Sequence, residues 1–413
     1  MHDIAVTGIG VVSPLGVGRE AFRESVFEAV SAIGPVSAFD TSAFRSHLGA
    51  EVSGFDPARF IRPSVYRRMG RISRMAAAAA RMALEDAGGV LDELPGNRIG
   101  IALGTAYGGS QHVDEFFRSL VADGPRGAKP FLFPDTVPNA SASHIAMANG
   151  ITGPNVTFCQ NGVSVEAAAV YAAGLLDRGL VDAVLVCGAE ELTEILYACH
   201  DAVGALNPAR AEGGSRVTPE AGGGLVLGEG AGALVVERLD RARERGAGVY
   251  GLLASAATAG GPAETGRFEK DGRALQGVVT RALAEAALAP GTVDHISVSA
   301  DFSGEAERLE RGVVERVFGD RAGVVGVTPL KYLAGDFGGA GALRAAAILL
   351  GIRAGTPLPA IDPDALAGGY AYPGSWRAPR PGSMKNGVMI SSTFGGGCAC
   401  LVFSHPDAKG SAP

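Results

Sequence analysis

The sequence predicts an α/β fold made of two similar halves, and three features predict it. Short apolar runs such as Ile4–Val12, Ile99–Gly104 and Ala183–Val186 alternate with longer stretches of helical period. A strand, a turn and a helix of small residues follow one another at 156–178 and again at 326–353. From Val249 the order of elements starts over, which divides the chain into 1–247 and 248–413.

In order, Ile4 to Val12 reads as a buried strand, followed by a Ser13-Pro14-Leu15-Gly16 turn and a helix near Arg19–Ala29. Gly8 and Gly10 do not make a dinucleotide fingerprint, because no third Gly opens the next helix. Residues 30–66 read as irregular. Arg67–Ala87 is a helix whose alanine-rich middle suits close burial between layers. Ile99–Gly104 is a strand, Gln111–Ala122 a helix, 124–138 a Pro-rich loop, and Asn139–Asn149 a helix capped by Asn139 or Ser141.

The stretch Gly153–Glu191 organises the chain. Val156–Phe158 end a strand, the turn Cys159-Gln160-Asn161-Gly162 opens a helix to about Arg178, and Gly179 stops it. Ala183–Val186 form the next strand, before a small-residue turn at Cys187-Gly188-Ala189. A sharp strand-to-helix turn presents free N–H groups and the positive helix end, a setting for a nucleophile or an oxyanion. Beyond it, 207–224 is a Gly-rich loop, and 224–247 is a glycine-bent strand leading into a charged helix. No Lys-Ser/Thr follows those glycines, so they are no phosphate cradle. A strand from Val249, a helix at Leu275–Ala287, a strand at Ile296–Ala300, a helix at Glu305–Phe318, a strand end at Gly326–Thr328 and a helix at Gly341–Arg353 complete the second half.

Composition narrows the function. With 413 residues the chain holds two domain-sized cores, and its net charge of −7 with dispersed Lys and Arg excludes a nucleic-acid binder. No apolar run reaches membrane-spanning length, and the N-terminus lacks the basic region of a signal peptide. The cysteines 159, 187, 199, 398 and 400 have no zinc-type spacing, which implies no metal site and a reduced, cytoplasmic protein.

Several motifs together resemble the β-ketoacyl synthases over residues 3–404. They are the opening Val6-Thr7-Gly8-x-Gly10-x-x-Ser13-Pro14-x-Gly16, the Gly153-Pro154 and Gly179-x-x-Asp182 pairs, and Gly228-Glu229-Gly230-Ala231-Gly232. The resemblance implies a thiolase-type fold in α-β-α-β-α layers and a Cys, His, His catalytic set without a cofactor. Spacing forward from Gly153 and back from Gly179 both land on Gly162, so glycine takes the nucleophile position. Asp301 stands at the first His, in a loop shortened and stripped of the Thr pair that holds the pantetheine arm. Asp336 follows the intact Lys331 at the second His. Two anions there are expected to repel a malonyl carboxylate and its enolate. The C-terminal motif, Thr393-Phe394-Gly395-Gly396-Gly397-Cys398, reads as short, with its gating second Phe and its Asn gone. His144 reads as a structural or interface residue.

Loss of all three catalytic positions resembles the chain-length factor, or β subunit, of a type II polyketide ketosynthase. That implies a heterodimer with an active ketosynthase, fed by an acyl carrier protein. The usual Gln at the nucleophile position is absent; Gln160 lies two residues from Gly162, and an aromatic or a reduced, polyene-type product stays open. The partner contact is expected over Asn139–Phe158. The helix after Gly108-Gly109 is expected to close the acyl tunnel with Ser110, Val113 and Phe117, one face at i, i+3, i+7. Two alternatives stand beside this. One is a condensing or thiolase-like enzyme using Cys159, which otherwise reads as a buried structural cysteine. The other is a malonyl carrier-protein decarboxylase using backbone N–H groups near Gly162 and Gln160.

Overall fold

The computed structural model describes residues 3–208, 224–323, 325–359, 361 and 384–407. The first half contains β1 (Ile4–Ser13), β2 (Gly16–Val17), α1 (Arg19–Phe27), β3 (Ile33–Pro35), β4 (Leu48–Ala50), α2 (Pro63–Tyr66), α3 (Arg71–Asp86) and α4 (Val90–Glu93). It continues through β5 (Ile99–Gly104), α5 (Ser110–Asp123), α6 (Ala140–Asn149), β6 (Asn155–Phe158), α7 (Ser164–Asp177), β7 (Ala183–Glu190), α8 (Glu194–Ala202), β8 (Gly230–Arg238) and α9 (Leu239–Glu244). The second half adds β9 (Gly251–Gly260), α10 (Arg273–Glu285), β10 (His295–Ser297), α11 (Glu305–Phe318), β11 (Gly326–Thr328), α12 (Lys331–Ala334), α13 (Ala340–Ala354), β12 (Asn386–Ser392) and β13 (Gly397–Ser404).

The two halves repeat one topology. The first orders its main strands β6-β5-β7-β8-β1 and the second β11-β10-β12-β13-β9. In each, the first three strands are mutually parallel and the last two join antiparallel. Ile4–Val6 pairs with Gly251–Leu253 and joins the two sheets at one corner. Helices α7 and α13 lie between the sheets, α3 covers the outer face of the first, and α10 and α11 cover the second. This is the expected thiolase-type arrangement of five layers.

Small residues allow the layers to approach. A Cβ on Gly10 of β1 would sit 1.9 Å from the Ala79 carbonyl of α3, so the alanine run and the strand glycine are one packing device. Every residue from Ala340 to Ile352 of α13 is buried, which explains why its sequence carries no polar face. Inside that layer the Arg344 guanidinium approaches Glu166 of α7 (Nη1–Oε1 3.5 Å) and donates to the Ser297 and Ile390 carbonyls. One buried cation thus ties the first half's central helix to the second half's sheet.

Two local expectations change. The span 30–66 is not wholly irregular, since β3 and β4 pair antiparallel within it and α2 closes it. No turn forms at Cys187-Gly188-Ala189; β7 runs on to Glu190, paired with β5 on one side and β8 on the other. The small residues there serve helix approach instead, because a Cβ on Gly188 would lie 2.5 Å from the Gly339 carbonyl. The Gly-rich 207–224 loop lies outside the described residues from 209 to 223. Among the described residues no helix is long and apolar enough to cross a membrane.

Candidate functional site

The strand-to-helix turn after β6 has the geometry the sequence predicts. Asn161 takes a left-handed φ of 50°, a single helical turn spans Asn161–Val163, and α7 starts at Ser164. The turn's amides are already in use. Gly162 N donates to Thr393 Oγ1 at 3.3 Å, and Gln160 N donates to Ser164 Oγ at 2.8 Å. Both N–H groups invoked for a decarboxylase are therefore bonded within the chain.

Asp301 follows β10 in a tight loop folded around Glu307. That carboxylate accepts from the amides of Asp301, Phe302 and Gly304 and from Tyr332 Oη. Phe302 is held at a φ of 72° and stacks on Tyr332 at 3.8 Å, so the shortened loop is rigid. Burial, reinforced by the charge of Glu307, pushes the Asp301 carboxyl up to about 7.

Asp336 lies beyond Gly335, whose φ of 73° turns the chain at the end of α12. Its backbone is pinned to the 225–228 segment by Asp336 N to Val226 O and Gly228 N to Asp336 O. Its carboxylate meets the Lys331 ammonium at 2.6 Å. Burial works against the Lys331 charge, but Asp336 and Asp301 outweigh it and the ammonium's pKa is raised. This corrects the expected repulsion. Asp336 is paired with Lys331, and burial favours the neutral form of the Asp301 carboxyl. The three positions Gly162, Asp301 and Asp336 carry neither a thiol nor an imidazole.

The space at the site is a cavity of about 40 Å³, lined among others by Gly162, Asp301, Lys331, Asp336, Thr393 and Phe394. It holds a few waters at most. The structure therefore brings the three degenerate positions together around one small space. Phe394 stands in its wall, edge-on to Phe268 at 6.3 Å, so an aromatic does guard the site where the motif read as having lost one. Beyond Phe268 opens a groove of about 850 Å³ lined by Arg267, Arg308 and Arg316 among others.

Two lining residues carried no sequence signal. Tyr107 donates through Oη to His200 Nε2 at 3.3 Å, and His200 Nδ1 donates to the Leu196 carbonyl at 2.8 Å. Burial, then Asp336 and Glu190, pushes the Tyr107 hydroxyl up to about 12. Glu190, itself pushed up to about 8 by burial, holds this loop by accepting from Thr105 Oγ1 and the Ala106 and Tyr107 amides.

Cys159 stands apart from the cavity. The residue is exposed where a buried cysteine was expected, and the partial desolvation its sulfur still has, then the Glu190 charge, raise the thiol pKa and disfavour the thiolate. Of the expected tunnel residues, Ser110 is buried and shares a hydrogen bond with Thr193 Oγ1 (3.0 Å), Val113 is half-buried, and Phe117 is 54% exposed. This face of α5 is thus covered at its N-terminal end and open at Phe117. Phe133 is exposed beside it, its ring 5.7 Å from that of Phe116; Phe131 and Met147 are exposed too, and β6 is a terminal strand of its sheet. His144 pairs with Asp135 (2.8 Å), which also faces His112, stapling α5, α6 and the intervening loop.

Comparison with known proteins agrees with this geometry. The family profile described as "Beta-ketoacyl synthase, N-terminal domain" matches residues 1–242, and the one described as "Beta-ketoacyl synthase, C-terminal domain" matches 250–362. The chain is 30% identical to 3-oxoacyl-(acyl-carrier-protein) synthase 2 of Coxiella burnetii, over 95% of this chain and 96% of that protein. It is 32% identical to oxytetracycline polyketide beta-ketoacyl synthase 1 of Streptomyces rimosus, over 98% of both. Among solved structures, the ishigamide ketosynthase/chain length factor superposes with a TM-score of 0.85 at 25% identity, over 98% of this chain and 99% of that one. With matching profiles over both halves and relatives aligned end to end, the chain belongs to the beta-ketoacyl synthase family.

Proposed function

We propose that this chain is the non-catalytic chain-length factor of a type II polyketide synthase, pairing with an active ketosynthase and shaping the tunnel that receives the growing acyl chain. The observation that carries the reading is the site itself. Gly162, Asp301 and Asp336 replace nucleophile and histidines around a cavity of about 40 Å³, and the turn's amides are bonded to Thr393 and Ser164. Condensation needs a thiolate, a donor for the developing oxyanion and space for an extender; Gly162 offers no thiol, Lys331 is paired with Asp336, His200 is bonded to Tyr107 and Leu196, and the cavity is small.

A partner surface supports the same reading. Phe117, Phe131, Phe133 and Met147 are each exposed, and β6 ends its sheet without a further strand beside it. Exposed large apolar side chains and an open sheet edge are both features that a partner subunit covers. The occupant under this reading is an active ketosynthase, with an acyl carrier protein delivering the chain.

The test is co-purification with a Cys/His/His ketosynthase from the same gene neighbourhood. A 1:1 complex that condenses malonyl units, from a chain that alone neither condenses nor gains a stable acyl adduct, is expected. Condensation by this chain alone overturns the reading.

A further inference from the structure

The small cavity is bounded by aromatic pairs on two sides. Towards the Arg267, Arg308 and Arg316 groove stand Phe268 and Phe394. On another side stand Tyr107 and His200, whose rings meet edge-to-face at 5.7 Å and 89°. Tyr107 both lines the cavity and is 37% exposed, so its ring separates the interior from the surface. That surface lies between the start of α5 and α8, which pack on each other.

We propose that Tyr107 and His200 form a plug that closes this subunit's own remnant pocket to linear acyl chains. The plug is held at each part. Glu190 accepts from the Tyr107 amide, which fixes the backbone. Because His200 Nδ1–H is committed to Leu196 O, its Nε2 is the acceptor, and the Tyr107 hydroxyl donates to it. The bond links the loop before α5 to α8, and the phenol ring fills the space that a chain would need. The consequence for the complex rests on the proposed pairing: with the plug in place, a chain arriving at the α5 face stops there and does not run on towards Gly162.

The experiment uses the full-length chain and decanoyl-pantetheine as probe, titrated by calorimetry. Tyr107→Ala and the double variant Tyr107→Ala/His200→Ala are expected to bind at least about tenfold more tightly than the unmodified chain, a change of about 1.4 kcal/mol. Tyr107→Leu, which keeps more bulk, serves if the alanine variants unfold, and is expected to show a smaller gain in the same direction. Folded variants that bind no more tightly than the unmodified chain overturn the plug. Gel filtration of the same proteins with a ketosynthase reads pairing separately, so a chain that never pairs overturns the functional reading while the titration still decides on Tyr107 and His200.

Discussion

The Lys331 ammonium lies 2.6 Å from Asp336 Oδ1, with the lysine side chain only 5% exposed. The aspartate that stands at a catalytic histidine position is therefore the counter-ion of the neighbouring lysine. A buried pair of this kind contributes little net stability, but removing one partner strands the other. Lys331→Met is expected to cost about 3–5 kcal/mol. The double change Lys331→Met/Asp336→Leu should recover most of it. Urea unfolding of the single and double variants checks this, and equal losses in both would show that the pair is not the cause.

Gly162 has room for a side chain. A Cβ there would meet Thr393 Oγ1 at 3.5 Å and Ser392 O at 3.8 Å, ordinary contacts, and the residue needs no left-handed φ. Gly162→Cys is expected to fold with stability within about 1 kcal/mol of the parent. It should still not condense malonyl units, because Asp301 and Asp336 supply no histidine chemistry. Its thiol should alkylate slowly, since the cation in the cavity, Lys331, is already paired with Asp336 and the Gly162 amide is bonded to Thr393. Intact-mass kinetics with iodoacetamide and a carbon dioxide release assay read both claims. Turnover by this single variant would show that the site retains the chemistry of the missing histidines.

What the sequence made legible was local. Helix α11 matches its sequence-read bounds because glycines with positive φ, Gly304 and Gly319, mark both ends. Strands β5 and β11 were equally clear as short apolar runs stopped by turn residues. The coincidence of Gly162, Asp301 and Asp336 was legible through motif spacing, and the fold does bring them together. What stayed hidden depended on distant partners. That Lys331 pairs with Asp336 is a matter of where α12 places an amine. That β7 continues through Cys187-Gly188-Ala189 depends on strands and a helix far away in sequence. Cys159 read as buried because strand ends usually are, yet β6 is a terminal strand and leaves it exposed. His200 belongs to a short helix with no motif, and only packing places it against Tyr107.

His295 is fully buried, and neither ring nitrogen has a hydrogen-bond partner among the described residues. Burial drops its pKa to about 3, against about 6.5 for an exposed imidazole. The unfolded chain therefore binds a proton that the folded chain refuses. Stability from this residue is full above pH ~6.5 and is lost as the pH falls from there towards 3, by up to about 1.4 kcal/mol per pH unit. His295→Leu removes both the refused proton and the unbonded nitrogens. The variant is expected to be at least as stable as the parent at pH 7, and its Tm should fall less steeply between pH 6.5 and 4.5. Parallel Tm–pH curves for the two proteins would rule out a role for His295 in acid sensitivity.

Phe117 is the residue through which the proposed tunnel function is most directly read. In this chain it is 54% exposed, so truncating it removes little internal packing. A buried phenylalanine cut to alanine costs about 3–5 kcal/mol; here the isolated chain should lose far less. If a ketosynthase covers α5, the ring becomes part of the wall between the two subunits, and Phe117→Ala should let the complex make longer products. Val113→Trp, one helical turn nearer the Gly108-Gly109 turn on the same face, should shorten them. Ser110 is a poorer place to add bulk, because its hydroxyl is buried against Thr193 and within 3.4 Å of Glu191, and Ser110→Phe would break those bonds before it reached a tunnel. The measurement is the mass distribution of products from the reconstituted complex, with complex yield and chain stability as controls. Variants that remain folded and paired yet leave the distribution unchanged would remove Val113 and Phe117 from the tunnel wall.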